Sequence, residues 1–310
     1  MKLPLRIAWA FSLLCLFSSA SPAGKNDDYR YKEPIVFCRT EKDPGSGKVL
    51  LASKIWIMEH DGSHARQLTT GTTYDDHPSL YSDLQHILYA EIPVNEFKPA
   101  AGARLIRLNI YTGERQVYAE APGCALHHAS LSPIGDVPVY HRDCGKRQSL
   151  WVGWGPGSYE INTTATNGVG LPDGAIFMQE KNRGYSPRQI SIARLYGHGR
   201  GSKLVFLTDD CCENRRPAIS PDGRLLAWQT NLKGGEDEIF LANIDGSDAR
   251  DITNAKGNDG HPWFSRDGKS IVFESDRTGN MEIWTMDLDT KHATQLTEGG
   301  KRYESDRPRM

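Results

Sequence analysis

The chain has 310 residues, with 37 Lys and Arg against 39 Asp and Glu, 38% hydrophobic and 25% charged residues. That balance suits a folded chain, excludes disorder driven by excess charge, and leaves no surplus positive charge for a nucleic-acid binder. The 30 Gly and 17 Pro are scattered rather than tandem, which points to many short strands and turns.

The chain opens with Lys2 and Arg6, an apolar run from Ile7 to Phe17, and the small residues Ser18 to Ala23. A basic start, a short apolar stretch and an A-x-A-like end describe a secretory signal peptide. Residues 1–23 are therefore expected to be removed, with cleavage after Ala20 or Ala23. The run is too short for a comfortable membrane span, and Leu14 before Cys15 does not suit a lipoprotein site. The expected location is periplasmic or secreted, with no membrane span. Without Cys15 the cysteines are Cys38, Cys124, Cys144, Cys211 and Cys212. An odd count in an oxidising compartment leaves one thiol unpaired or intermolecular, and no C-x-x-C spacing suggests zinc or redox chemistry.

After a short segment over 24–33, a repeat organises residues 34–310 as one domain. His261-Pro262-Trp263-Phe264-Ser265-Arg266-Asp267-Gly268 leads to the strand-like Ser270–Phe273, then Glu282-Ile283-Trp284, then Gln295-Leu296-Thr297. Arg216-Pro217-Ala218-Ile219-Ser220-Pro221-Asp222-Gly223 begins the same order one period earlier, and His77-Pro78-Ser79-Leu80 begins it near the N-terminus. Each unit holds four short apolar runs separated by turn residues, which reads as a four-stranded antiparallel meander. Such units bury their faces by stacking radially, so the expected fold is an all-β propeller.

The residue at the start of each first strand marks the register: His77, His128, Asn167, Arg216, His261 and Arg307, spaced by 51, 39, 49, 45 and 46. Six marks mean a six-bladed β-propeller. The longest unit carries an insertion over Ile92–Ala103. The N-terminal unit starts at a second strand, Ile35–Arg39, and Asp306–Met310 resembles only the start of a first strand. The ring is thus expected to close by the C-terminal strand joining the N-terminal blade, which leaves few open edges.

These motifs, x-Pro-x-Trp/Phe-Ser-Pro-Asp-Gly, Ser-Asp-Arg-x-Gly-Asn-x-Glu-Ile-Trp and Arg-x-Leu-Thr, resemble the TolB-type, WD-repeat-like propeller repeat. The likeness is closest in the last two units and weakest in the third and fourth. TolB carries an α/β domain before its propeller, whereas only about ten residues separate the expected leader from the first strand here.

Catalytic templates find no match. No G-x-S-x-G elbow occurs, Gly45-Ser46-Gly47-Lys48 lacks the flanking P-loop residues, and His60 and His64 bracket a turn. The register positions converge instead, one per blade, on the mouth of the central channel. His77, His128, Asn167, Arg216, His261 and Arg307, with His127 beside them, form a candidate ligand-binding ring. Its two arginines suit a carboxylate or other anion. His77, His128 and His261 could alternatively hold one divalent metal ion; otherwise no cofactor is expected.

The strand 4–1 and strand 2–3 connections should share one face, with loops 40–53 and 92–103 and most of the cysteines. Loop elaboration on one side makes a binding surface. Cys124 and Cys144 are the expected disulfide within a blade. Function is therefore expected to be non-catalytic protein binding in the envelope or secreted space, with an envelope or extracellular protein as partner. An anionic small ligand or acidic oligosaccharide would also suit the ring. The alternative is a metal-dependent lyase of acidic oligosaccharides, because oligogalacturonate lyases resemble this chain in using a related propeller with a His-rich metal site.

Overall fold

The computed structural model describes residues 29–145, 147–153, 157–162, 165–171, 175–181, 188–194, 204–209, 211–232 and 234–310. Outside them lie the expected signal peptide over 1–23, residues 24–28, Pro172-Asp173-Gly174, whose match in sequence to Pro221-Asp222-Gly223 sets the Asn167 mark, and Thr163 and Thr164, which complete an Asn-x-Thr glycosylation sequence with Asn162. Among the described residues the regular elements are strands. No helix there is long and apolar enough to cross a membrane.

The strands form six four-stranded antiparallel sheets and one two-stranded ribbon. The first strands of the sheets are Tyr74–Leu80, Ala125–Leu131, Thr166–Gly170, Asn214–Ile219, Asp259–Phe264 and Tyr303–Arg309. Each packs on the next, and the last returns to the first. This is an all-β propeller of four-stranded antiparallel blades. Tyr303–Arg309 pairs with Pro34–Lys42, from Glu41 opposite Tyr303 to Val36 opposite Arg309, so the C-terminal residues complete the N-terminal sheet. Apolar residues fill the spaces between sheets, as Leu88, Leu105, Leu126 and Tyr140 do between the second and third blades.

The repeated polar residues have repeated structural duties. Thr69, Thr253 and Thr297 accept the backbone N–H of Ile55, Ile239 and Ile283 at 3.0, 2.9 and 2.9 Å. The hydroxyls of Thr253 and Thr297 donate to Glu238 and Glu282 at 2.7 and 2.6 Å. That bond explains why the Glu-Ile and Leu-Thr motifs recur together. In the Ser-x-Asp-Gly turns, Ser220 and Ser265 donate to Asp222 and Asp267 at 2.6 Å, and Gly223 and Gly268 take φ of 70° and 71°. Between the first two blades Lys54 Nζ reaches Asp75 at 3.0 Å with both side chains 1% exposed.

Two connections differ from the sequence reading. The loop expected over 40–53 shrinks to 43–48, because Pro34–Lys42 and Val49–Glu59 extend as paired strands. Their outer ends follow the C-terminal strand, through register shifts at Arg39, Glu41 and Lys42. The insertion over 92–103 is no open loop, since Val94–Asn95 pairs with Lys98–Pro99. The segment before the first sheet is docked, with the backbone N–H groups of Lys32 and Glu33 both donating to Glu59.

Candidate functional site

Each first strand carries a β-bulge at the same place. His77 and Pro78 stand against Tyr89, His128 and Ala129 against Tyr140, and Asn167 and Gly168 against Met178. Arg216 and Pro217 face Trp228, His261 and Pro262 face Phe273, and Arg307 and Pro308 face Phe37. The six register residues are also left-handed, with φ of 47°, 53°, 49°, 56°, 47° and 52° in chain order. A side chain in that conformation costs about 1–2 kcal/mol against the usual backbone. Four of the six precede proline, which restricts the backbone further. A bulge re-aims side chains, and these strained ones all sit at equivalent inner-strand positions. They occupy the second to fifth residues of their strands, and His77 and His261 are only 3% and 6% exposed. The ring therefore lies inside the channel rather than on its rim, as the bulge falls mid-strand.

One side of the ring is an ionic network, although His77 Nδ1, His261 Nε2, Arg307 Nε and Asp306 Oδ1 have no hydrogen-bond partner among the described residues. Asp76 Oδ2 lies 2.8 Å from His77 Nδ1, too poorly aligned for a full hydrogen bond. Arg216 Nη1 donates to His77 Nε2 at 3.2 Å. His261 Nδ1 donates to Glu274 at 2.6 Å, and Glu274 also accepts the backbone N–H of Arg307 at 2.8 Å. Arg307 Nη1 reaches Asp306 at 2.9 Å and Asp76 at 3.3 Å. Burial would raise the Asp76 carboxyl, but Arg307 and His77 hold it well below its ordinary range. Burial lowers the His77 imidazole to about 4 and the His261 imidazole to about 3, with nearby arginines adding to both shifts. Both rings stay neutral near pH 7.

The other side is different. His127 stands opposite His141 across the strand pair, and the bulge swings His128 beside them. The ring centroids are 4.5 Å apart for His127 and His128, 4.7 Å for His127 and His141, and 5.9 Å for His128 and His141. One donor atom from each lies within 4.8 Å of the others. His141 is 2% exposed. Neither of its ring nitrogens, nor Nδ1 of His128, has a hydrogen-bond partner among the described residues. Burial lowers all three imidazoles, His141 to about 4.

The alternative metal set of His77, His128 and His261 is divided between these sides. His77 and His128 approach to 4.2 Å between centroids, and with Asp76 they offer a second group of donors. His261 lies 5.9 Å from His77 and belongs to neither group. The sequence reading noted His127 but missed His141, which sits on a second strand and carries no register mark. A signal was present: with Cys124 opposite Cys144, the residues three in from each cysteine are His127 and His141.

Cys124 and Cys144 form a disulfide. Among the other described cysteines, Cys38 is buried, while Cys211 and Cys212 hold their thiols 2.7 Å apart. The disulfide borders a groove of about 1050 Å³ lined by Pro93, Gly102, Arg104, Glu120, Gly123 and Asp143, among others. These residues come from strand 4–1 and 2–3 connections and the strand ends beside them.

A propeller of four-stranded antiparallel blades, with one polar residue aimed inward from each first strand, is the class that this geometry defines. Residues 201–309 match the family model described as the TolB beta propeller domain. A TolB homolog of Chlorobium luteolum is 38% identical over 105 residues, 31% of this chain and 23% of that protein. The chain spans about a quarter of the length of the curated relatives it matches. TolB from Acinetobacter baumannii superposes with a TM-score of 0.72 at 17% identity, covering 91% of this chain and 67% of that one. Hydrazine synthase from Kuenenia stuttgartiensis superposes at 0.68 with 10% identity, over 89% of this chain and 46% of that one. Residues 201–309 are thus similar to the TolB propeller domain, and the fold of the described residues is similar to the TolB propeller.

Proposed function

We propose that this protein is an exported, non-catalytic six-bladed propeller that serves as an interaction module of the cell envelope or secreted space. Six sheets and the pairing of the C-terminal strand with the N-terminal sheet support a closed ring, a rigid frame for its loops. The observation that carries the reading is the groove of about 1050 Å³ built from the elaborated connections of one face. Loops held on a rigid scaffold are where binding surfaces form. The partner is an envelope or extracellular protein that inserts a segment there.

The rival reading as a metal-dependent lyase of acidic oligosaccharides needs a base in the channel. His261 with Glu274 has the shape of a catalytic dyad, but an imidazole lowered to about 3 is a poor proton acceptor near neutrality. The ring arginines are also engaged, Arg307 with carboxylates and Arg216 with His77. Interaction is therefore the better reading.

Site-specific photocrosslinking in the native host tests it. A crosslinker at Gly123, in the groove, should yield a discrete protein adduct, whereas one at Asp222, in a tight turn of the opposite face, should not. Equal adducts from both positions, or none from either, would sink the proposal.

A further inference from the structure

We infer that His127, His128 and His141 form a binding site for one zinc-class divalent cation, with a fourth coordination position left for water or another oxygen donor. Three imidazoles, without thiolate, are a donor set for borderline ions such as zinc, nickel and copper. At metal–nitrogen distances of about 2.0–2.1 Å, three rings around a tetrahedral ion have centroids about 5 Å apart. The observed separations of 4.5, 4.7 and 5.9 Å bracket that value.

Unmet hydrogen bonding is the second argument. A buried imidazole normally finds a partner, because leaving a polar group unpaired costs about 1–3 kcal/mol. His141 leaves both nitrogens without a hydrogen-bond partner among the described residues, and His128 leaves Nδ1 so. A cation would satisfy one nitrogen of each ring; His77 Nδ1 and His261 Nε2 are also unpartnered, but the other nitrogen of each of those rings is bonded.

The competing donor group is worse in chemistry. Asp76, His77 and His128 also converge, but Arg216 Nη1 already donates to His77 Nε2 and Arg307 already reaches Asp76. A cation there must displace two guanidinium contacts. None of the hydrogen bonds or ion pairs described above occupies His127, His128 or His141.

The local covalent frame fits a preorganised site. His127 and His128 lie on Ala125–Leu131 and His141 on Pro138–Cys144. The Cys124–Cys144 disulfide ties that same pair of strands together, three residues from His127 and three from His141. The inference does not depend on the interaction reading, since a cation here could serve a docked partner, a small anion or the fold itself.

The test loads chelator-stripped, disulfide-intact protein with zinc chloride, desalts it and measures zinc per chain; cobalt(II) substitution supplies a visible spectrum. One equivalent of zinc and an intense tetrahedral cobalt spectrum are expected. His141→Ala should weaken zinc binding at least about a hundredfold, while His261→Asn should retain it. Should His141→Ala fail to fold, the less buried His127→Gln carries the same expectation, with circular dichroism as the folding control. The inference is overturned by folded wild-type protein that retains no zinc. It is equally overturned by folded His141→Ala or His127→Gln protein that binds as tightly as wild type, or by loss of the metal in folded His261→Asn.

Discussion

The two sides of the channel contain the same residue type and treat it in opposite ways. Around His77 and His261, imidazoles, arginines and carboxylates bond to one another in a dense buried network that leaves one nitrogen of each of these rings over. Around His127, His128 and His141, the imidazoles stack with nitrogens left over. The first arrangement engages His77 and His261 through one nitrogen each, while the second engages neither nitrogen of His141. One bulge repeated around a propeller can thus serve fold or ligand, and the neighbours decide which.

Removing a carboxylate from the ionic side should have the largest effect. Glu274 accepts from His261 and from the backbone of Arg307, and its charge offsets Arg216 and Arg307. Glu274→Leu would leave buried cations uncompensated, with an expected loss of about 3–5 kcal/mol. Urea unfolding measures it. A loss below about 1 kcal/mol would mean that the network is not what holds this side.

Next comes the disulfide beside the open side. A bridge closing a loop of 20 residues stabilises by about 3 kcal/mol in the chain-entropy account. The Cys124→Ser, Cys144→Ser double variant should lose about that much in urea, and it should also bind zinc more weakly. A loss of stability with zinc affinity intact would separate the bridge from the proposed site.

How much of this was legible without coordinates depended on where the repeat is strong. The register falls on all six bulge residues: the same backbone kink recurs with an x-Pro sequence at four of them, and Asn167 is aligned by the match of Pro172-Asp173-Gly174 to Pro221-Asp222-Gly223. What it could not show is depth: a position along a first strand becomes channel interior only when the bulge is known to fall mid-strand. It could not supply the partners either. Glu274 and His141 lie on second strands, and only the strand register brings them opposite Gly260 and His127. The proposed ligand His141 belongs to the third unit, where the repeat is weakest.

Acid should expose the buried imidazoles. His77 and His141 have ordinary values near 6.5 when unfolded and about 4 in the fold. Below pH 6.5 the unfolded chain takes up protons that the fold refuses, so stability falls as pH drops until about 4. The slope is up to about 1.4 kcal/mol per pH unit for each group. Asp306, raised by burial despite Arg307, pulls the other way below neutrality. Urea midpoints between pH 7.5 and 4.5 should therefore fall, and His141→Phe should flatten the fall. An unchanged slope in that variant would remove His141 from the titrating set.

The smallest effect separates the two sides most directly. His77 and His128 share the same left-handed bulge, with φ of 47° and 53°. Glycine removes the backbone strain at either position. At His77 it also removes the acceptor for Arg216 and the ring beside Asp76, so His77→Gly should cost about 1–2 kcal/mol net. At His128 it removes an imidazole with a buried unpartnered nitrogen, so metal-free His128→Gly should be unchanged or up to about 1 kcal/mol more stable. Zinc should stabilise the wild type and leave His128→Gly unaffected, because a ligand stabilises only the state that holds it. Equal losses in both glycine variants, with no difference in the response to zinc, would collapse the distinction between the ionic and the open side of the channel.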